Sequence, residues 1–249
     1  LDLPGVITLS LGFAALLTAL TEGRLGWTRP IVPIAFGLAA VLLLAFTLIE
    51  RRHAEPLIDL GLLRRPLFVV ATGGALVSGV TVISVMTYLP NVLQLAHGFP
   101  PIGTAALFGV WSGASFVVSL QARRVRLASR VQLVLGLALS AVGYLPLLGV
   151  GGHWSPVPVV LGLLVAGVGS GFINASLAHL AIESVPPAQG GMGAGANNTA
   201  RYVGSALGIA AIASVVGARG LGPGIDIVLI ASVAVIAAAA VAGLLIRER

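Results

Sequence analysis

The side chains with chemistry to offer are few, and they gather in one part of the sequence. Asn174, Ser176, Asn197, Asn198, Thr199, Arg201 and Ser205 interrupt stretches otherwise made of Gly, Ala, Val, Ile and Leu. Arg201 is the sharpest of them, because a guanidinium in the middle of an apolar span costs about 2.5 to 3.5 kcal/mol on insertion scales and so needs a partner. At 100° per residue Asn197, Arg201 and Ser205 share one helical stripe, which must face a bundle interior or an aqueous cavity rather than lipid. Two uses fit Arg201: contact with a substrate or gate, or a side chain snorkelling toward the nearer helix end. Tyr88, Met86, Trp111, Phe172 and Tyr202 are of the type that lines a greasy, stacking pocket for planar molecules, and equally of the type that packs helices.

Other chemistries find little support. The sequence has no cysteine, and His53, His97, His153 and His179 lack metal-ligand spacing, so no metal and no cofactor is expected. No Gly-rich loop ends in Lys-Ser/Thr, which excludes a phosphate-cradling ATPase motif. Ser170 with His179 is the sole hint of a hydrolase. Nine residues of helix put these two on opposite faces and about 13 Å apart along the axis, so no catalytic residue is assigned and no enzyme is expected. Glu22, Glu50, Glu183 and Asp226 all fall at span ends. A titratable acid at membrane depth, which proton coupling requires, is therefore missing from this segment.

The elements that must position these residues follow from composition. Of 249 residues 57% are apolar and 9% charged, with a mean hydropathy of +1.06, whereas a water-soluble domain carries roughly 25% charged residues. The chain is built for lipid. A bilayer core of about 30 Å needs about 20 apolar residues in helix, and eight stretches meet that length, near residues 4–21, 30–49, 67–90, 103–121, 131–150, 157–182, 190–217 and 225–246. Continuous apolar runs, without the alternation of a lipid-facing strand, predict an all-α membrane protein. All fourteen basic residues are arginine, and their net excess is read against the membrane rather than nucleic acid. Arg51, Arg52, Arg64, Arg65, Arg123, Arg124, Arg126, Arg130, Arg247 and Arg249 fall on one side; Arg24, Arg29 and Arg219 fall on the other. Because cytoplasmic loops retain basic residues, both ends of the segment are expected in the cytoplasm.

Several features break the apolar background. Residues 55–65, between Pro56 and Pro66, suit an interfacial lateral helix or a solvated linker. Glycines recur four apart at Gly109/Gly113, Gly167/Gly171, Gly191/Gly195 and Gly204/Gly208, which predicts close helix packing, with flexible hinges as the rival. Pro146 is expected to kink the fifth helix, and Trp27 and Trp154 suit interfacial anchors. The opening Leu1-Asp2-Leu3-Pro4 lacks the basic start of a signal peptide, and the absent initial methionine suggests an N-terminally truncated chain.

The run Gly167-Val-Gly-Ser-Gly-Phe-Ile-Asn174, then Ile182-Glu-Ser-Val-Pro-Pro187, then Gly193-Ala-Gly-Ala-Asn-Asn-Thr-Ala-Arg-Tyr-Val-Gly-Ser-Ala-Leu-Gly208, resembles the late helices of the major facilitator superfamily. More closely it resembles the fourteen-span EmrB/QacA subfamily of drug:proton antiporters. Asp2, Gly5, Glu22-Gly23 to Gly26-Trp27, Phe46 to Glu50 and Glu55-Pro56-Leu57-Ile58 are similar to that subfamily's two additional central helices and the loop after them. Leu89-Pro90 to Gln94 with Gly98-Phe-Pro is similar to its next outer loop. The loop Ser119 to Arg130 departs from the pattern: it keeps positive charge but lacks the Asp-Arg and glycines of the family's gating loop, so a lipid-headgroup contact suits it as well.

The resemblance implies two additional transmembrane helices over residues 1–52, a cytoplasmic linker over 53–66 and a C-terminal six-helix bundle over 67–249. The N-terminal half of the transporter, with its proton-linked acids, would be missing. It implies a plasma-membrane multidrug exporter, an antibiotic-resistance function in which two bundles rock around a shared midplane site. Its partners would be protons, the lipid bilayer, the missing half and a hydrophobic or amphipathic small molecule, cations included; no nucleic acid is expected. Asn174, Asn197, Asn198 and Arg201 would give polar contacts, and Tyr88, Trp111 and Phe172 an apolar wall. A lipid or glycolipid flippase of the same fold and a non-transporting sensor or assembly subunit are the alternatives.

Overall fold

The computed structural model describes residues 3–23, 25–50 and 60–245. Arg24, Arg51, Arg52, Arg247, Arg249, Asp2 and the 55–59 part of the lateral helix lie outside them. Among the described residues eight helices are long and apolar enough to cross a membrane, and no strand occurs. The chain divides into two compact units, residues 1–65 and 66–249.

The first unit is a helix pair, α1 (Leu3–Gly23) and α2 (Ile31–Glu50). Gly12 faces Leu42 and Leu43, a small residue receiving large ones where lipid offers no hydrophobic drive for association. At the turn the Trp27 ring lies over Gly23, and Glu22 pairs with Arg29. Ile7, Leu11, Leu17, Ile34, Leu38, Val41 and Leu44 stay exposed, the composition expected of a lipid-contacting surface. Residues Leu60–Arg64 form one 3-10 turn instead of the second half of an α-helix.

The second unit holds α3 (Pro66–His97), α4 (Pro101–Gln121), α5 (Ser129–Tyr144), α6 (Pro156–Glu183), α7 (Gly190–Arg219) and α8 (Leu221–Leu245). Pro101 and Pro156 open their helices, where a proline forfeits no intrahelical bond. The third span runs past its expected end at residue 90: Pro90 lies inside the helix, and Gly98, at φ 64°, caps it with its N–H on the Gln94 carbonyl. Leu89 to Gln94 are thus helical, and the loop after α3 shrinks to Gly98-Phe99-Pro100. Midway along α3, Gly79–Ile83 form a π turn. The expected kink at Pro146 is an ending instead. The α-helix stops at Tyr144 and tightens into a 3-10 turn over Leu145–Leu147, where Pro146 has no N–H to continue the i→i−4 ladder.

α6 is the axis of this unit, packed between α5 and α4, while α7 packs on α3 and α8 closes against α5 and α7. Leu163, Ala166, Ile173, Leu177 and Leu180 of α6 are buried together with Leu137, Tyr144, Leu89 and Leu229. Glycines set the spacing. A Cβ on Gly167 would stand 2.5 Å from the Trp111 carbonyl, and one on Gly171 2.8 Å from that of Ser115, so α4 and α6 touch backbone to backbone. Gly204 and Gly208 do the same for α7 against Leu76, Val80 and Ser84 of α3. Gly109, Gly113, Gly191 and Gly195 have no neighbour within 4 Å, so two of the four expected pairs seal helices and two do not. A seam the four-residue spacing missed joins α5 to α6 through Gly136, Gly143, Gly162 and Gly169, where a Cβ on Gly143 would meet the Ala166 nitrogen at 2.5 Å. Its signal is a seven-residue spacing, two turns, on both helices.

Trp154 has neighbours beyond an interfacial anchor: its ring packs at a tilt of 60° against Phe99, centroids 4.4 Å apart, and lies 6.0 Å from His97, whose Nε2 bonds the Val150 carbonyl. Nearby the Gly149 N–H donates to the Asp226 carboxylate at 2.8 Å. Aromatic contacts and one charge-assisted bond thus tie the loops at this end to α8.

Candidate functional site

The polar cluster is positioned by the seam between α3 and α7. Gly79 opens the π turn and lies directly against the Arg201 carbonyl and the Ser205 N–H, so any side chain at 79 would push that stretch of α7 away. The inserted residue of a π turn leaves ladder carbonyls free for other donors, and the Thr81 carbonyl accepts the Tyr144 hydroxyl at 2.7 Å. Asn197, buried, donates its amide to the Ala71 carbonyl at 3.0 Å. One face of α7 is thereby fixed to α3 by two close backbone approaches and one side-chain bond.

Arg201 shares this face by its backbone, but its guanidinium reaches away from the seam. Its Nη1 donates to Asn174 Oδ1 at 3.2 Å and its Nη2 to Asn198 Oδ1 at 2.8 Å, while Asn174 Nδ2 reaches Ser115 Oγ at 3.4 Å. α4, α6 and α7 each contribute to this cluster. Arg201 lies eleven residues into α7 and Asn174 nine residues before the end of α6, about 16 and 14 Å from those helix ends and hence near the middle of a bilayer. The Arg201 guanidinium also sits 5.9 Å from the centroid of the Tyr202 ring, at the outer limit of a cation–π contact.

Trp111 joins α4 to α6 on its own, donating Nε1–H to Ser170 Oγ at 3.1 Å. Trp111, Tyr88 and Phe172 are half-buried, and Trp111 and Tyr88 pack against the apolar core. Among the described residues no hydrogen bond or ring contact links Tyr88 or Phe172 to the Arg201 cluster. Of the seven residues expected to share a site, Asn174, Asn198 and Arg201 meet, Trp111 stands on the adjoining α4–α6 contact, and Asn197 turns into the α3 seam. Ser115, which completes the cluster, was missed; a lone serine in an apolar helix gives no signal by itself.

Asn174 also borders an open cleft of about 1350 Å³ between α4, α6 and the loop after α4, lined further by Phe116, Ser119, Leu127, Arg130 and His179. In it His179 Nδ1 lies 2.9 Å from Glu183 and 3.3 Å from Ser129 Oγ. Both partners address the same ring nitrogen, so this is not a nucleophile and an acid held on the two sides of an imidazole. Ser170 is engaged by Trp111 and does not meet His179. Among the described residues no three His, Asp or Glu side chains gather where a metal could bind.

The cluster therefore places a guanidinium, two amides and a serine hydroxyl together at about mid-helix depth. The chain is 29% identical over 220 residues to the multidrug resistance protein Stp of Mycobacterium tuberculosis, covering 87% of this chain and 41% of that protein. It is 30% identical over 227 residues to the puromycin resistance protein pur8 of Streptomyces alboniger, covering 86% and 44%. It is 30% identical over 229 residues to the tetracycline resistance determinant of Streptomyces rimosus, covering 89% and 65%. The chain thus spans about half the length of the curated relatives it matches. The family model described as Major Facilitator Superfamily matches residues 3–209, and with its eight apolar helices this multi-pass membrane protein belongs to that superfamily.

Proposed function

We propose that this chain is the C-terminal part of a proton-coupled exporter of hydrophobic or amphipathic compounds, of the fourteen-span type, working by alternating access in the plasma membrane. The observation that carries the proposal is the Arg201–Asn174–Asn198 cluster, a charged and amide-rich group at mid-span in a chain whose relatives are named for multidrug, puromycin and tetracycline resistance. Arg201, Asn174 and Asn198 supply polar contacts to the substrate; Tyr88, Trp111 and Phe172 form its apolar wall; Asn197 serves by fixing α7. The described spans hold no mid-span carboxylate, so the acids that carry protons come from the other half of the transporter.

Energised everted vesicles containing the full gene product test this. They should accumulate tetracycline, puromycin or a hydrophobic dye, and a protonophore should collapse the gradient. Accumulation of none of these, or accumulation indifferent to the protonophore, overturns the proposal. Orientation has its own test: alkaline phosphatase fused after His153 should be active and fused after Ala128 inactive, since the arginine-rich loop after α4 belongs in the cytoplasm.

A further inference from the structure

The hydrogen-bond inventory of the Arg201 cluster is lopsided. Both amide oxygens, Asn174 Oδ1 and Asn198 Oδ1, are turned onto the guanidinium, which leaves both amide nitrogens pointing away from it. Asn174 Nδ2 donates to Ser115 Oγ, so the serine hydroxyl keeps its own proton to give. Arg201 Nε is buried with no hydrogen-bond partner. An arginine has five N–H donors and no acceptor, and each amide has two donors and one acceptor oxygen. What the cluster has left to offer is therefore N–H and O–H, and almost no lone pair.

Its charge is equally lopsided. Among the described residues α4 carries no charged side chain; α3 has none within its span beyond His97 at the end; α7 adds only Arg219, eighteen residues on; and α6 contributes Glu183, nine residues beyond Asn174 and about 14 Å along the axis. Glu183 is already paired with His179. Neutral amides hold the guanidinium in place without neutralising it, and the fork geometry of arginine suits a bidentate carboxylate. The Tyr202 ring, 64% exposed and bordering the guanidinium, offers an aromatic body a surface to lie on.

We infer that Asn174, Asn198, Arg201 and Ser115 form an anion-recognition point, and that the compounds this cavity takes are amphipathic aromatic acids rather than organic cations. The inference rests on the exporter reading for the existence of a substrate cavity. A cation would meet an uncompensated positive charge and a row of donors; a carboxylate would meet complementary groups on three helices.

The test is binding of a matched pair, 1-naphthoate and its neutral methyl ester, to the full gene product in nanodiscs by equilibrium dialysis at neutral pH. The acid should bind at least about tenfold tighter than the ester, R201Q should bring the ratio close to one, and R201K should keep part of it, since a lysine retains the charge but not the fork. A ratio near one in the unmodified protein overturns the inference. A ratio that survives R201Q also overturns it. The unmodified protein alone decides the first point if R201Q fails to fold. Acid preference without energised transport would sink the exporter reading and leave the anion point standing; transport of dyes with no acid preference would do the reverse.

Discussion

Asn197 and Asn198 are neighbours in sequence and live in different solvents. Asn197 is buried, its amide spent on the Ala71 carbonyl of α3, in a seam where Gly79, Gly204 and Gly208 bring two backbones into contact. Asn198 is exposed, its oxygen spent on Arg201 and its nitrogen turned away. Roughly 100° of helical rotation separates them. On the seam side of α7 the Asn197 amide is matched by the Ala71 carbonyl and the backbones touch; around the guanidinium the polar groups match each other only in part. In a membrane, where an unmatched polar group is costly, the first pattern holds helices together and the second is tolerated where something else is to bind.

The largest expected effect comes from breaking the seam. Gly204→Leu would drive a side chain into the Leu76 carbonyl and the Val80 N–H. Overpacking against backbone cannot be relieved by a rotamer change, so a loss of about 3 kcal/mol or more is expected. Thermal unfolding of the detergent-solubilised protein, followed by size-exclusion chromatography, should show a sharply lowered midpoint or no monodisperse peak. A midpoint within a degree or two of the parent would mean that α3 and α7 are not sealed here.

The two asparagines sharpen the comparison at smaller magnitude. Asn197→Ala removes an interhelical hydrogen bond, worth on average about 0.6 kcal/mol and at most about 1.7 kcal/mol in membrane proteins, and it leaves the Ala71 carbonyl short of a donor. Asn198→Ala removes a partner of an exposed group, and its thermal midpoint should move less. Substrate accumulation in vesicles should respond in the opposite order, with Asn198→Ala the more damaged. If the two variants lose stability and transport in parallel, the division of α7 into a structural and a binding face is wrong.

That division also marks what could be read from the amino acids. Run length gave away all eight spans, because a bilayer sets a length scale that composition must obey, and the glycine-rich and polar run from Gly167 to Gly208 carried enough pattern to suggest the superfamily. The neighbours were harder. Placing Arg201 with Asn197 and Ser205 on one stripe is right for the backbone direction, yet the guanidinium bonds Asn198 and Asn174, because a long side chain reaches past its own stripe to an acceptor one turn back and to another on α6. The π turn over Gly79–Ile83 had no sequence signal, since one extra residue in a turn changes neither apolarity nor length enough to notice. Pro90 suggested a loop that the helix passes through, whereas Pro146 does end one. Cross-helix geometry separates these cases.

The glycines with nothing opposite them make the last and smallest test. Gly109 and Gly113 are spaced as Gly167 and Gly171 are, yet a Cβ at either meets no atom within 4 Å. Both stand on α4, of which only Thr104 and Ser115 are buried. If spacing alone made a packing motif, Gly113→Ala would cost as much as the same change at Gly171, where a Cβ would strike the Ser115 carbonyl and Val118. Contact predicts otherwise: in a helix interior an alanine is favoured over glycine by roughly 0.5 to 1 kcal/mol when nothing opposes it. Gly113→Ala should therefore leave the thermal midpoint unchanged or raise it slightly, while Gly171→Ala lowers it. A marked drop for Gly113→Ala in the full gene product, with purified monodisperse protein, would show that a further helix covers this face there, and would turn an open surface of α4 into a second sealed seam.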